Sequence, residues 1–185
     1  MRVANFSTED PCDGARSFGI LSSYPPTACG LATFTAALAS GMAEHDAAVG
    51  VLRVVDTEGQ GSQSDQVIGE LVNGSRRSLV AGSETLNQFD VAVVQHEYGL
   101  YGGADGDDVL EILGALRVPS IVIAHTILTH PTPHQRSVLN EVVALADRVV
   151  VMTEAARRRL CDGFDADPAK FCLLYTSDAA DDLTR

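Results

Sequence analysis

Two short, continuous apolar segments constrain the fold of this chain more than any other feature of its sequence. They span residues 91–94 and 121–124, and a histidine follows each of them within two residues, His96 in one case and His125 in the other. A continuous apolar run is typical of a strand buried on both faces, which requires a parallel sheet covered by helices. Ligands bind outside the carboxyl ends of such strands, so both histidines are candidate site residues.

The remainder of the chain repeats this alternation of strands and helices. Two stretches depart from it: Val67 and Ile68 form only a short apolar segment after a flexible loop, and Pro131 and Pro133 are expected to delay the next helix until Gln135. The alternation predicts β-α-β units and therefore a doubly wound α/β fold with a parallel sheet. The predicted strands cover residues 18–23, 49–55, 91–95, 119–124 and 148–152, with one more after residue 170; the predicted helices cover residues 31–42, 75–88, 107–116, 135–146 and 154–163, the last capped by Thr153.

Three segments differ in character along the chain. Residues 1–16 are polar and aperiodic, which predicts a loose N-terminal extension. Residues 17–171 carry the α/β pattern and form the predicted domain. Residues 172–185 resemble a translated sequencing adapter, so we interpret them as a non-native tail, with a native acidic tail as the alternative.

Charge and hydropathy exclude some classes of protein. The formal net charge of −12 argues against a nucleic-acid partner, because binding a phosphate backbone requires a basic surface. No apolar run approaches the roughly 20 residues that span a bilayer, so we expect no transmembrane segment. The N-terminus has no basic region followed by an apolar stretch, which favours a cytoplasmic protein over a secreted one.

Three short motifs at predicted strand ends are the candidate functional elements. The first predicted helix starts after a loop that ends in Cys29, Gly30 and Leu31, and the N-terminus of a helix is a natural anion site, although a plain helix cap is as good an interpretation. His96-Glu97 and His125-Thr126 follow two later strands. Their imidazole and carboxylate groups could bind hydroxyls or phosphate, or could instead satisfy loop backbone.

Metal and hydrolase chemistry find little support in the sequence. His125, His130 and His134 are close in sequence, but Pro131 and Pro133 interrupt any regular geometry and no carboxylate lies nearby in sequence, so we expect no metal and no cofactor. The G-x-S-x-G motif of serine hydrolases is absent. Cys29 as a nucleophile paired with a histidine has no local signature but stays open.

Five segments together resemble the N-terminal domain of GT-B glycosyltransferases, in the large retaining family (family 4) that uses nucleotide-sugar donors. The resemblance covers residues 17–171 and rests on the order and strand placement of the five pieces. They are residues 19–26 (GILSSYPP), 29–35 (CGLATFT), 93–99 (VVQHEYG), 125–126 (HT) and 150–154 (VVMTE).

The resemblance implies one Rossmann-like half of a two-domain enzyme that transfers a hexose with retention from a nucleotide-sugar donor to a sugar or lipid-linked acceptor. By position it places Cys29, Gly30 and Leu31 near the donor phosphates. It also makes His125 the catalytic candidate, with Thr126 beside it. The remaining site residues by resemblance are His96 and Glu97 on the acceptor side, and Thr153 and Glu154 at the edge of the cleft.

The family's second domain, with its two glutamates and phosphate-binding basic residues, has no counterpart in these 185 residues. We therefore expect the chain alone to transfer no sugar. Two other classes remain open: a stand-alone α/β module that binds a sugar or nucleotide without catalysis, and an unrelated hydrolase of similar fold.

Overall fold

The computed structural model describes residues 17–59, 64–164 and 167–174. The predicted extension at residues 1–16 and residues 175–185 of the predicted tail lie outside these ranges. The strands are β1 (Ser17–Ser22), β2 (Ala48–Val55), β3 (Val67–Val72), β4 (Val91–His96), β5 (Ser120–Ala124), β6 (Arg148–Val151) and β7 (Phe171–Leu173). The helices are α1 (Gly30–Glu44), α2 (Arg76–Leu86), α3 (Asp108–Ala115), α4 (Pro133–Leu145) and α5 (Glu154–Gly163), with 3₁₀ turns at Ala104–Gly106 and Pro168–Lys170.

All seven strands pair in parallel in a single sheet of order β3-β2-β1-β4-β5-β6-β7. The predicted fold class, a doubly wound Rossmann-like α/β sheet, is confirmed. The strand order reverses between β1 and β4, and the crevice at such a point is where open α/β sheets bind ligands.

Two local predictions need correction. The apolar segment at Val67 and Ile68 belongs to a full strand, β3, which also contains Gly69 and Glu70 and pairs with β2 at the edge of the sheet. Helix α4 begins at Pro133 rather than Gln135, because proline is well suited to the first helical position, where its missing N–H needs no partner. Thr132 and Gln135 complete the start of α4 as a capping box.

The short strand β7 includes two residues of the predicted tail. Val150 pairs with Cys172 and Val151 with Leu173, and the preceding Phe171 is 6% exposed. The sheet pairing therefore extends through Leu173, two residues beyond the predicted domain boundary.

The two faces of the sheet are covered differently. Helix α1 packs on one face, here called the α1 face, against Ile20, Val51, Val93 and Ile123. Buried residues of α2, α3, α4 and α5 pack together with the opposite face, whose strand residues alternate with those of the α1 face. These opposite-face residues are Leu21, Leu52, Val54, Leu71, Ala92, Val94, Val122, Ala124, Val149, Val151 and Phe171.

Candidate functional site

A cleft of about 380 Å³ opens at the carboxyl edge of the sheet, beside the point where the strand order reverses. Its walls come from the segments that follow β1, β2, β3 and β4 and from the start of α1. The polar side chains in these walls are Ser23, Thr27, Cys29, Asp56, Asn73 and Glu97.

Cys29 and Leu31 line the cleft at the N-terminus of α1, next to Gly30. Cys29 is the N-cap residue: its Sγ accepts a hydrogen bond from the Ala32 amide at 3.3 Å and lies 3.3 Å from the Ser23 hydroxyl. Gly30 is exposed, and a Cβ added to it would meet no atom within 4 Å, so a ligand can approach this backbone closely. The sequence predicted that the first helix begins at Leu31, and α1 begins one residue earlier, at Gly30.

Glu97 and Thr126 are brought together across β4 and β5. The Thr126 hydroxyl donates to Glu97 Oε2 at 2.6 Å, and the Tyr98 amide donates to Oε1 at 3.2 Å. Both carboxylate oxygens are thereby oriented, and each keeps further lone pairs for ligand hydroxyls. Glu97 lines the cleft, whereas Thr126 is not among the lining residues.

His125 is half-buried at the end of β5 on the α1 face. Its Nε2 lies 2.7 Å from Gln95 Oε1, and its ring meets that of Phe34 edge-on, with centroids 5.0 Å apart. Burial lowers the pKa of His125, although the nearby Glu97 carboxylate acts in the opposite direction. The lowered pKa favours the neutral form of the imidazole.

Gln95 is held by a further buried group that sequence reasoning did not identify. Its Nε2 donates to Thr35 Oγ1 at 2.8 Å, and Thr35 lies 2.9 Å from the Ser22 hydroxyl. All three of these polar residues are fully buried. The alternation of side chains along β1 and β4 directs Ser22 and Gln95 towards α1. The continuous apolar runs in the sequence do not show which face of the sheet each strand residue occupies.

His96 points away from this group. It pairs with Ala124 in register, lies on the opposite face against Tyr98 and is 1% exposed. Burial lowers its pKa to about 4, outweighing Glu97, which raises it. His96 therefore does not line the cleft, and of the His96-Glu97 pair only Glu97 is available to a ligand.

Thr153 and Glu154 also lie at the carboxyl edge, but after β6, two strands away from β4. Thr153 caps α5 as predicted, accepting from the Ala156 amide at 3.1 Å. Glu154 lies 3.4 Å from Arg157. Neither residue is among those that line the cleft.

An ion pair lies beside the same buried polar group. Arg53 of β2 is fully buried, pairs in register with Ser22 and forms a salt bridge with Glu70 of β3. The Arg53 guanidinium lowers the pKa of Glu70, and the Gly59 amide, which donates to Glu70 Oε2 at 3.0 Å, lowers it further. Sequence reasoning did not identify Arg53, although a single charged residue within the otherwise apolar strand β2 was a signal that could have found it.

The three histidines considered for a metal do not converge. His134 lies on α4, with its Nδ1 2.9 Å from Asp105 Oδ2, whereas His125 bonds to Gln95. Within the part of the chain that the structure describes, no three His, Cys, Asp or Glu side chains are arranged to hold a metal ion.

Comparisons with known proteins add no assignment: no protein-family model matches the chain, and no curated protein matches it. Across residues 17–59, 64–164 and 167–174, none of the helices combines the length and the apolar character needed to cross a membrane. The class is thus defined by the fold and the edge site alone, as a Rossmann-like α/β domain with a polar cleft at its switch point.

Proposed function

We propose that this chain is the acceptor-side half of a two-domain retaining glycosyltransferase that uses a nucleotide-sugar donor. The observation that carries the proposal is the grouping of polar residues at one sheet edge. Glu97 and the N-terminus of α1 line an open cleft, while Thr126, which bonds to Glu97, and His125 follow the neighbouring strand without lining the cleft. These are residues for which the resemblance to family 4 supplies donor and acceptor roles.

The chemistry of the cleft suits a hydroxyl-rich ligand. Carboxylate oxygens of Glu97 and Asp56 accept hydroxyl protons, and the hydroxyls of Ser23 and Thr27 donate or accept. Leu31 adds an apolar surface for the C–H groups of a sugar ring. The N-terminus of α1 supplies backbone N–H groups and a favourable dipole for a phosphate.

In this proposal each described residue has a limited task. His125 faces the donor sugar as a neutral, oriented imidazole, and Glu97 orients the acceptor hydroxyl. The resemblance assigns nucleotide binding to a second domain, so the 185-residue chain alone is expected to release no nucleotide from a nucleotide sugar. Cytoplasmic localisation and a sugar or lipid-linked acceptor are part of the same proposal.

The second candidate is a stand-alone sugar- or nucleotide-binding module. The observation in its favour is that a cleft of about 380 Å³ is formed by this domain without a second one. A binding module predicts saturable binding by the chain itself and no requirement for further sequence.

The test begins with the source DNA, sequenced across the codons for residues 167–185 and onward. A reading frame that continues into a second α/β domain with paired glutamates would support the transferase. The protein from that frame would then be assayed for nucleotide release from UDP-glucose, GDP-mannose and ADP-glucose. We expect His125→Ala to reduce the rate by about 100-fold, the effect of removing one oriented polar group from an active site.

His45→Ala is the matched control, because His45 is exposed at the opposite end of α1 and should leave the rate unchanged. A verified native stop after Arg185 together with saturable sugar binding would favour the binding module. Turnover by the 185-residue chain alone, lost in Cys29→Ala or His125→Ala, would instead favour a hydrolase.

A further inference from the structure

The hydrogen bond between His125 and Gln95 has a defined donor and a defined acceptor, and Thr35 determines which residue plays each role. The side-chain amide of Gln95 makes two contacts. Its Nε2 lies 2.8 Å from Thr35 Oγ1, and its Oε1 lies 2.7 Å from His125 Nε2. Gln95 and Thr35 are both fully buried, so water does not compete for these groups.

Thr35 determines which end of the Gln95 amide faces it. Its hydroxyl has a single proton and lies 2.8 Å from the backbone carbonyl of Leu31, one turn earlier in α1. That proton goes either to the Leu31 carbonyl or to the Ser22 hydroxyl 2.9 Å away, and in both cases the Thr35 oxygen is left to accept from a donor. The donor available is Gln95 Nε2, which turns Gln95 Oε1 towards His125.

Since the Gln95 oxygen cannot donate, the proton of the neutral His125 ring must lie on Nε2. Nδ1 is then a lone-pair acceptor. Within the described ranges, no residue is hydrogen-bonded to His125 Nδ1. This nitrogen is also not among the buried polar atoms that lack a partner, so it is accessible to solvent. The edge-on contact with Phe34 fixes the plane of the ring.

We propose that Thr35 and Gln95 are positioning residues that hold His125 as the Nε2–H tautomer, so that it presents a hydrogen-bond acceptor to the ligand. At this nitrogen the site takes a ligand hydroxyl or ammonium proton and disfavours a phosphate oxygen, because both would be acceptors. This ligand preference rests on the proposed function, whereas the tautomer does not.

The test is nuclear magnetic resonance of the ¹⁵N-labelled 185-residue chain near pH 7.5, without any substrate. Long-range ¹H–¹⁵N correlations distinguish the two neutral tautomers, His125→Gln assigns the signals of His125, and the exposed His45 provides an internal reference. We expect His125 to be biased towards Nε2–H more strongly than His45.

Three variants test the cause of the bias. Thr35→Val removes the hydroxyl that orients Gln95, and we expect the ratio of Nε2–H to Nδ1–H at His125 to fall by about fivefold, equivalent to one hydrogen bond. Gln95→Leu removes the acceptor beside His125 without adding a charge and should lower the same ratio. Thr85→Val is the matched control, because Thr85 makes the same bond to a carbonyl one turn earlier, in α2, and should change nothing.

Either an Nδ1–H tautomer in the parent chain or a tautomer ratio equal to that of His45 would overturn the inference. So would a Thr35→Val variant with the parent ratio. If that variant does not fold, Thr35→Ser, which keeps the hydroxyl, must still give the parent ratio, and Gln95→Leu must lower it. Because no sugar transfer is measured, failure here leaves the glycosyltransferase proposal standing, and failure of that proposal leaves the tautomer result standing.

Discussion

The two faces of the sheet are built from different chemistry near the carboxyl edge. On the face packed by α2, α3, α4 and α5, the strands present apolar residues such as Leu21, Val54 and Val94 to a continuous core, and His96 at the end of β4 is a buried polar exception. On the α1 face at the same level, Ser22, Arg53 and Gln95 are fully buried. Buried polar groups cost free energy unless they are hydrogen-bonded or paired, and these three have hydrogen-bonding or charged partners.

This difference shows where the fold places its buried polar groups. The apolar face stabilises the domain through area removed from water, which is non-directional. The α1 face holds bonded groups with fixed directions directly behind His125 and the start of α1. Hydrogen-bonded groups in the interior can orient a side chain at the carboxyl edge of the sheet, whereas an apolar interior can only exclude water from that side chain.

The largest expected effect concerns the charged pair on the α1 face. Glu70→Ala leaves the guanidinium of Arg53 buried without its carboxylate, and we expect the free energy of unfolding to fall by about 3 kcal/mol. Urea unfolding measures this change. Glu111→Ala is the control, since its pair with Arg76 is exposed and should contribute at most about 0.5 kcal/mol.

Equal losses in Glu70→Ala and Glu111→Ala would contradict the contrast between the faces. The lowered pKa of Glu70 adds a pH signature, because a carboxyl whose pKa is depressed on folding stabilises the fold above its unfolded pKa. That contribution should disappear as the pH falls below the ordinary glutamate range, and Glu70→Ala should lack it.

A smaller effect is expected from His96, the buried histidine of the opposite face. Its pKa is lowered by burial to about 4, whereas the unfolded chain has the ordinary value near 6.5. Between these values the unfolded state binds one more proton, so stability falls as the pH decreases through this window. At pH 5 we expect a loss of about 2 kcal/mol relative to pH 7.

Urea unfolding at pH 7, 6 and 5 tests this expectation in the parent chain and in His96→Leu. The variant should show a flatter profile over this range, whatever its stability at pH 7. An unchanged slope in His96→Leu would show that another group is responsible for the acid sensitivity.

The smallest effect concerns a hydrogen bond made from the apolar side. The Tyr101 hydroxyl is buried and donates to the backbone carbonyl of Gln95 at 2.6 Å. Tyr101→Phe removes this bond and keeps the ring, so we expect a loss of about 1 kcal/mol in the free energy of unfolding. A loss above about 3 kcal/mol would indicate that the aromatic ring at position 101 had shifted, and a crystal structure of the variant would show that shift directly.

Much of the fold was predictable because buried parallel strands are continuous apolar runs. The strands at Val91–His96 and Ser120–Ala124 stand out for that reason, and Thr153 is a recognisable helix cap. Strand β3 was missed because an edge strand with Gly69 and Glu70 lacks that signature. The start of α4 was misplaced because proline was treated only as a helix breaker.

The candidate site was predicted less completely, for a different reason. The histidines and Glu97 follow strands, so their position at the carboxyl edge could be expected. Which face each one occupies depends on strict alternation along the strand, and adjacent apolar residues do not reveal it. His96 and His125 therefore looked equivalent in sequence, and Gln95 and Thr35 carried no visible signal at all.

The Arg53–Glu70 pair also affects what can happen at the margin of the sheet. Of the strands described, β3 is outermost on one side, where backbone groups are free to recruit a strand from another molecule. Charged residues directed inward on such strands are one of the means by which proteins oppose intermolecular pairing and aggregation. A second chain adding to β3 would have to pack over Glu70 and desolvate its carboxylate, so this pair helps to keep the molecule from polymerising through its sheet.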